Sequence, residues 1–203
     1  MSGERRFGEL PENIKIVLAE MELYALENLR ARNVNRELGT LLYMAAKLKK
    51  SEVIVDVGTS NGCSAIYLAQ AAKENGGKVV TIEKQLEKSQ AASQNIIKVG
   101  LEDRVTIVPG RAQEVLPQLK QPIDFLFMDI LPEEYLDCIR GCRDRLKKGA
   151  IIICDNFSGH RERDGKITAR INEGNDFIEY CRGNFESVSE ILNIGSGIVI
   201  CTV

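Results

Sequence analysis

The sequence has few of the residues on which several classes of site depend. Its 203 residues include no tryptophan, one histidine and six cysteines, and aromatic residues make up 5% of the chain. One histidine and scattered cysteines argue against a structural zinc site or a disulfide framework. No apolar run reaches the ~18 residues that a membrane-spanning helix needs, and no apolar targeting segment follows the N-terminus. We therefore expect a soluble, cytoplasmic protein with no membrane partner.

A large excess of charge of one sign is also absent. The 27 Lys and Arg residues nearly balance the 29 Asp and Glu residues, which leaves a formal net charge of −2. This balance disfavours a broad surface for nucleic acid phosphates, although basic residues cluster locally in residues 30–36 and 160–166. With 44% hydrophobic residues and no low-complexity segment, the composition predicts one globular domain over residues 1–203.

The order of apolar patterns predicts the fold. Two segments with helical spacing make residues 1–50 a helical N-terminal region. Five short β-branched runs then alternate with helical stretches, which predicts a doubly wound α/β core over residues 51–203 with a mostly parallel sheet. Near the C-terminus, two further apolar runs flank a glycine-containing turn and predict an antiparallel hairpin. The expected sheet therefore has seven strands.

Acidic residues stand at or just inside the ends of four predicted strands. They are Asp56, Glu83, Asp129 and Asp155, and Asn156 follows the last of them. Ligands of such sheets bind at the carboxyl ends of the parallel strands, so one shared site would explain all four acids. The alternative is that each acid only ends its strand, since Asp and Asn are common turn formers.

A glycine loop follows the first predicted strand in the segment "DVGTSNGCS". Gly58 and Gly62 let the backbone approach a ligand closely, and the amides of the loop can bind its polar groups. The spacing differs from the G-x-G-x-x-G pattern of dinucleotide-binding loops, and a tight turn without a ligand is the alternative. At the end of the next strand, the Glu83 carboxylate can accept both hydroxyls of a ribose, or it can be an exposed strand-end acid.

These segments resemble those of a known enzyme family. "DVGTSNGCS" followed by "VVTIE" is similar to the first two motifs of class I S-adenosylmethionine-dependent methyltransferases. With "NVNRELGTLL", "GRAQEVLPQL", "FLFMD" and "IIICDNFSG" in colinear order, the chain from residue 33 to 203 resembles the cation-dependent catechol and caffeoyl-CoA O-methyltransferases. The resemblance implies a Rossmann-like fold and transfer of a methyl group to a hydroxyl of a small catechol-like or hydroxylated aromatic substrate.

The resemblance also implies roles for individual residues. The residues expected to bind S-adenosylmethionine are Asn33, Val34, Asp56, Gly58, Ser60, Gly62, Ser64, Glu83, Ala112, Gln113 and Asp129. The family's metal ligands correspond to Asp129, Asp155 and Asn156, which are also the expected catalytic residues. Their chemistry agrees with this role, because two carboxylates at one sheet edge repel unless a cation lies between them. Oxygen ligands of this kind suit Mg²⁺, or else Mn²⁺ or Ca²⁺.

One position departs from the family's pattern. The family has a lysine three residues after the first metal aspartate, where it serves as the general base, but this chain has Pro132 there. Proline followed by Glu133 and Glu134 is typical of a helix start, and we favour that interpretation over a replacement base. His160, the one histidine, and Lys166 are weaker candidates for contact with the substrate.

Three functions remain open. The first is methylation of a small hydroxylated molecule. The second is methylation of a hydroxylated base in transfer RNA, with a phosphate-binding track made by Arg30, Arg32, Arg36, Arg161 and Arg163. The third is a cofactor-binding module without turnover, which the replacement of the lysine by Pro132 suggests.

The first predicted helix, about residues 13–29, has more apolar positions than a peripheral helix needs unless it covers the sheet or a second chain. Together with the resemblance, this predicts a homodimer.

Overall fold

The computed structural model describes residues 10–28, 33–157, 160–161, 167–168 and 174–203. In this part of the chain, one sheet has seven strands. They are β1 (Val53–Val57), β2 (Lys78–Glu83), β3 (Val105–Pro109), β4 (Ile123–Met128), β5 (Leu146–Cys154), β6 (Ser187–Ile191) and β7 (Ile198–Thr202). Two short segments, His160–Arg161 and Ile167–Thr168, pair with each other outside this sheet.

The strand order across the sheet is β3-β2-β1-β4-β5-β7-β6. The first five strands pair in parallel, whereas β7 is antiparallel to both β5 and β6. The predicted mostly parallel sheet with a C-terminal hairpin is therefore confirmed. The chain moves outward from β1 to β3 and then returns to β4 on the other side of β1, which puts the point of reversal between β1 and β4. Ligands of doubly wound sheets bind at this point, outside the carboxyl ends of the strands.

Helices cover both faces of the sheet. The α-helices are α1 (Glu12–Glu27), α2 (Arg36–Leu48), α3 (Cys63–Asn75), α4 (Leu86–Lys98), α5 (Ala112–Val115), α6 (Tyr135–Cys142) and α7 (Asn175–Asn184). Short 3₁₀ segments occupy Leu116–Gln118, Pro132–Glu134 and Arg143–Arg145. The predicted N-terminal helices are confirmed as α1 and α2. Among the described residues, no helix combines the length and the apolar character needed to cross a membrane.

Strand β4 shows why the parallel strands have continuous apolar runs. Its residues alternate between the two faces of the sheet, and both faces are covered by helices. Phe125 and Phe127 are buried in the core on the side of α1 to α4, together with Leu42 and Ile66. Leu126 and its neighbours on the other face lie in the core under α5 to α7. The sheet is therefore packed between two apolar cores, and the carboxyl ends of its parallel strands lie along one edge.

Candidate active site

The loop after β1 approaches the end of β4 very closely. Gly58 has a positive φ of 97°, and a Cβ atom at this position would lie 2.3 Å from the backbone oxygen of Asp129. Glycine is therefore required both by the backbone conformation and by the space. Farther along the loop, Ser60 and Gly62 also have positive φ angles, of 49° and 93°. The loop thus brings its backbone against the strand end that carries the first predicted metal ligand.

Asp56 lies beneath this loop. It is fully buried, and its carboxylate accepts hydrogen bonds from the hydroxyls of Ser64, at 3.1 Å, and Thr81, at 2.6 Å. Burial raises the pKa of Asp56 from 3.8 to about 6, and the negative charges of Asp129 and Glu83 add to this rise. Asp56 and Ser64 therefore tie β1, β2 and α3 together under the loop.

Glu83 is held by the backbone at the end of β2. Its side chain is buried, with Oε2 accepting from the amide of Ser60 and Oε1 from the amide of Gln85, each at 2.9 Å. Each carboxylate oxygen has two lone pairs, so each can accept one more hydrogen bond. The orientation of Glu83 is therefore set before any ligand binds, and its remaining capacity matches the two hydroxyls of a ribose.

An open cavity lies over this edge of the sheet. The predicted site residues that line it are Gly58, Ser60, Glu83, Ala112, Gln113, Asp129 and Asn156. Lining residues that the sequence analysis did not single out include Lys84, Gln85, Lys88, Arg111, Ile130 and Leu131. The other predicted site residues do not line it, namely Asn33, Val34, Asp56, Gly62, Ser64 and Asp155.

Asn33 and Val34 lie beside the start of α3. The carbonyl of Val34 is 3.8 Å from the thiol of Cys63, and the Asn33 amide nitrogen donates to the carbonyl of Met21 at 2.8 Å. Among the described residues, nothing donates to the buried Oδ1 of Asn33. A buried oxygen without a donor fits a site that is completed by a ligand. Together with the glycine loop and Glu83, it fits S-adenosylmethionine, whose amino and hydroxyl groups are donors.

The predicted metal ligands come from the ends of two neighbouring strands. The Asn156 amide nitrogen lies 2.7 Å from Oδ1 of Asp129 and 3.2 Å from the carbonyl oxygen of Ile130. Asp155 is 5% exposed, and its Oδ1 accepts from the backbone amide of Ser196 at 2.7 Å. Burial raises the pKa of Asp155 to about 7, and the negative charge of Asp129 contributes to the rise. The two carboxylates are therefore close enough to repel each other.

These three side chains fit a hard divalent cation. Two carboxylates and an amide oxygen are oxygen donors, and three protein ligands leave room for water or substrate. Asn156 directs its N–H₂ group towards Asp129. Rotation of the amide by half a turn would direct its oxygen towards a cation bound there. Within the described residues, no three His, Cys, Asp or Glu side chains form a group that could hold a metal.

Tyr135 joins the two strand ends that carry these ligands. Its buried hydroxyl is 2.8 Å from the carbonyl oxygen of Asp155, 3.1 Å from that of Ile130 and 3.2 Å from that of Met128. Its ring stacks on Phe157 with centroids 5.5 Å apart. Its one hydroxyl proton can bond any one of these oxygens, so the ends of β4 and β5 are held together by a single side chain.

The segment after Asp129 begins a helix, as predicted. Pro132 starts the 3₁₀ segment that leads into α6, and it is buried. Glu133 is exposed, whereas Glu134 lines the cavity. The lysine of the family's pattern is thus replaced by a residue with no ionisable group.

Several other candidates fall outside the described residues. Among them are Arg30, Arg32, Arg163 and Lys166, and for His160 and Arg161 only the backbone is described. The phosphate-binding track of arginines and the substrate contacts of His160 and Lys166 therefore remain predictions. Arg36 is exposed and pairs with Glu22 at 3.2 Å.

Comparison with known proteins agrees with this geometry. A family model described as a methyltransferase domain matches residues 55–157. A catechol O-methyltransferase of Niastella koreensis is 30% identical over 155 residues, which cover 74% of this chain and 68% of that protein. This chain belongs to the class I O-methyltransferase family. It is a methyltransferase that uses S-adenosylmethionine, as the sequence motifs predicted.

Two further matches show how much of this O-methyltransferase is shared with other proteins. The catechol O-methyltransferase of Bos taurus is 28% identical over 177 residues, and the match spans 83% of this chain but only 60% of the bovine protein. The solved structure of an O-methyltransferase from Bacillus cereus, in complex with SAH, superposes with a TM-score of 0.80 at 26% identity. That superposition covers 96% of this chain and 92% of the Bacillus cereus protein.

Proposed function

We propose that this O-methyltransferase methylates a hydroxyl of a small catechol-like or hydroxylated aromatic molecule, and that it requires a divalent cation. The observation that carries the proposal is the contact between Asp129 and Asn156 on the cavity wall, 2.7 Å apart. The buried Asp155 directly precedes Asn156 in the chain. The names of two relatives, both catechol O-methyltransferases, support the substrate class.

The chain's residues divide the cavity between the two substrates. Glu83 ends β2 and Asp129 follows β4, on opposite sides of β1 and its glycine loop. A nucleoside held at Glu83 therefore leaves the β4 and β5 side of the cavity for the methyl acceptor. Holding both molecules in a reactive orientation can lower the activation free energy by about 7 kcal/mol or more.

Asp129, Asp155 and Asn156 would hold the cation beside the acceptor. When bound, a divalent cation would lower the pKa of the acceptor hydroxyl, and it could bind two adjacent hydroxyls. Because Pro132 cannot take up a proton, we propose that the proton of the acceptor hydroxyl leaves to water in the open cavity. The oxygen then forms its bond to the methyl carbon, and the electrons of the broken carbon–sulfur bond stay on sulfur.

Transfer of an isotope-labelled methyl group tests this proposal. Catechol, a hydroxycinnamoyl thioester, and unmodified and hydroxylated transfer RNA are each offered with Mg²⁺ and with EDTA. We expect labelling of a small aromatic hydroxyl that EDTA abolishes and Mg²⁺ restores. Labelling of hydroxylated transfer RNA alone would contradict the substrate class, and labelling that persists in EDTA would contradict the cation requirement. Cofactor binding with no transfer to any acceptor would favour a module without turnover.

A further inference from the structure

Glu134 contacts a predicted cofactor-binding residue on the wall of the cavity. Its side chain is 17% exposed, and Oε1 lies 3.0 Å from the amide nitrogen of Gln113 and 3.4 Å from a guanidinium nitrogen of Arg111. All three residues line the cavity. Gln113 and Glu134 are 21 positions apart in the sequence, so this contact exists only in the folded chain.

The contact determines which way the Gln113 amide faces. A glutamine amide has two donor hydrogens on nitrogen and an acceptor oxygen on the other side, whereas a carboxylate can only accept. The reversed amide would put its oxygen against the negatively charged carboxylate and would leave the hydrogens unbonded. Glu134 therefore holds the amide nitrogen of Gln113 and keeps its Oε1 free. In the part of the chain that the structure describes, no group donates to that oxygen.

The position of Gln113 identifies what its oxygen would meet. Glu83 ends β2, and Gln113 lies in α5, directly after β3. Asp129 and Asn156 occupy the opposite side of the cavity, next to β4 and β5. A nucleoside with its ribose at Glu83 and its reacting end towards Asp129 must place its base on the side of Gln113. Adenine carries a 6-amino donor there, whereas a 6-oxo purine carries an acceptor.

We propose that Glu134 is a positioning residue that orients Gln113 so that the site selects an adenine base over a 6-oxo purine. This inference rests on the proposed binding of the cofactor at Glu83. Glu134 acts through Gln113 and does not touch the base itself. Without Glu134, the amide can turn over and offer its hydrogens to a 6-oxo group.

Calorimetry with two nucleosides tests the proposal. The Kd values of S-adenosylhomocysteine and S-inosylhomocysteine are measured for the wild type, for Glu134→Ala and for Glu133→Ala. The wild type should prefer the adenosine compound by about tenfold or more, because the wrong base leaves a buried polar group unpaired. In Glu134→Ala the preference should fall below about threefold, a change that a merely structural role would not produce. Glu133→Ala removes the same charge from an exposed neighbour and should keep the wild-type preference.

A second variant and a double mutant make the test sharper. In Glu134→Lys, the ammonium group can only donate, so the Gln113 amide should turn over and the preference should shift towards the 6-oxo compound. In a Gln113→Ala background, Glu134→Ala should change the preference no further, since the two residues act as one unit. A full adenine preference in Glu134→Ala or Glu134→Lys would overturn the inference while leaving cofactor binding intact. Failure of the wild type to bind either compound would instead overturn the proposed function, and the inference with it.

Discussion

The two sides of the cavity are built in different ways. On the β1 to β3 side, the predicted cofactor residues are oriented by the backbone, as Glu83 is by two amides and Gly58 is by its close approach to Asp129. On the β4 to β5 side, the site contains two carboxylates that repel, and the pKa of Asp155 is raised to about 7 by burial and by Asp129. The acceptors on the first side are oriented before any ligand binds, whereas the second side needs a positive partner.

The largest expected effect is on the second side. Asp155→Ala should lower methyl transfer by about a hundredfold or more, because it removes one of the two carboxylates that attract the cation. The affinity for S-adenosylmethionine should change little, since Glu83 and the glycine loop lie on other strands. Steady-state kinetics and calorimetry measure the two quantities separately.

Thermal unfolding separates loss of the cation from loss of the fold. Mg²⁺ should raise the Tm of the wild type, because a ligand that binds only the native state stabilises it. It should not raise the Tm of Asp155→Ala, and the exposed Asp144→Ala variant should behave as the wild type does. Equal stabilisation of Asp155→Ala would show that Mg²⁺ binds elsewhere.

The next effect concerns Asp56, the buried acid under the glycine loop. Its pKa is higher in the folded chain, about 6, than the ordinary value of 3.8, so the folded state binds the proton more tightly. This contribution to stability is fully present below about pH 4 and is lost as the pH rises through 6. At 1.36 kcal/mol per pKa unit, the loss by pH 7 is roughly 3 kcal/mol.

Replacing Asp56 by asparagine isolates this contribution. The asparagine of Asp56→Asn does not titrate. As the pH rises from 4 to 7, the free energy of unfolding of this variant should therefore increase relative to that of the wild type. Chemical denaturation at several pH values gives the difference. A difference that stays constant with pH would show that the buried carboxylate has an ordinary pKa.

Substitution of Glu83 tests whether its carboxylate, oriented by two backbone amides, binds the cofactor. Glu83→Ala should weaken binding of S-adenosylmethionine by ~2 kcal/mol, because buried ribose hydroxyls lose a charged acceptor. Glu87→Ala, which removes an exposed acid from the start of α4, is the matched control and should bind as the wild type does. Unchanged affinity in a folded Glu83→Ala variant would remove this residue from the cofactor site.

The smallest effect on methyl transfer is expected from a substitution on the outer face of α1. Ile16, Leu23 and Tyr24 are 53%, 64% and 56% exposed on this helix, and we propose that a second copy of the chain covers them in a homodimer. Leu23→Glu should then give a monomer in light scattering at micromolar concentration, with methyl transfer largely retained. Leu192→Glu puts the same charge on a similarly exposed leucine elsewhere and should leave the dimer intact. A wild-type monomer would contradict the proposal.

Much of the fold was predictable because its signals are local. Alternation of β-branched runs with helical spacing identified the parallel strands, and the proline before two acids correctly predicted the helix start at Pro132. The hairpin was also predicted, but not that β7 lies between β5 and β6. That order depends on hydrogen bonds between distant segments, which no local pattern records.

Local sequence patterns are enough to predict which residues collect at the carboxyl edge of the sheet, because strand ends and glycine turns are properties of short segments. The role of each acid at that edge depends instead on contacts between distant segments of the folded chain. Asp56 and Glu83 look alike as acids at strand ends, and both are buried. Asp56 accepts from the side-chain hydroxyls of Ser64 and Thr81, whereas Glu83 accepts from backbone amides and lines the cavity. Glu133 and Glu134 are neighbours in one helix start, and only the second contacts Gln113. Burial and hydrogen-bond partners come from contacts across the fold, so the same residue type takes different roles at similar positions.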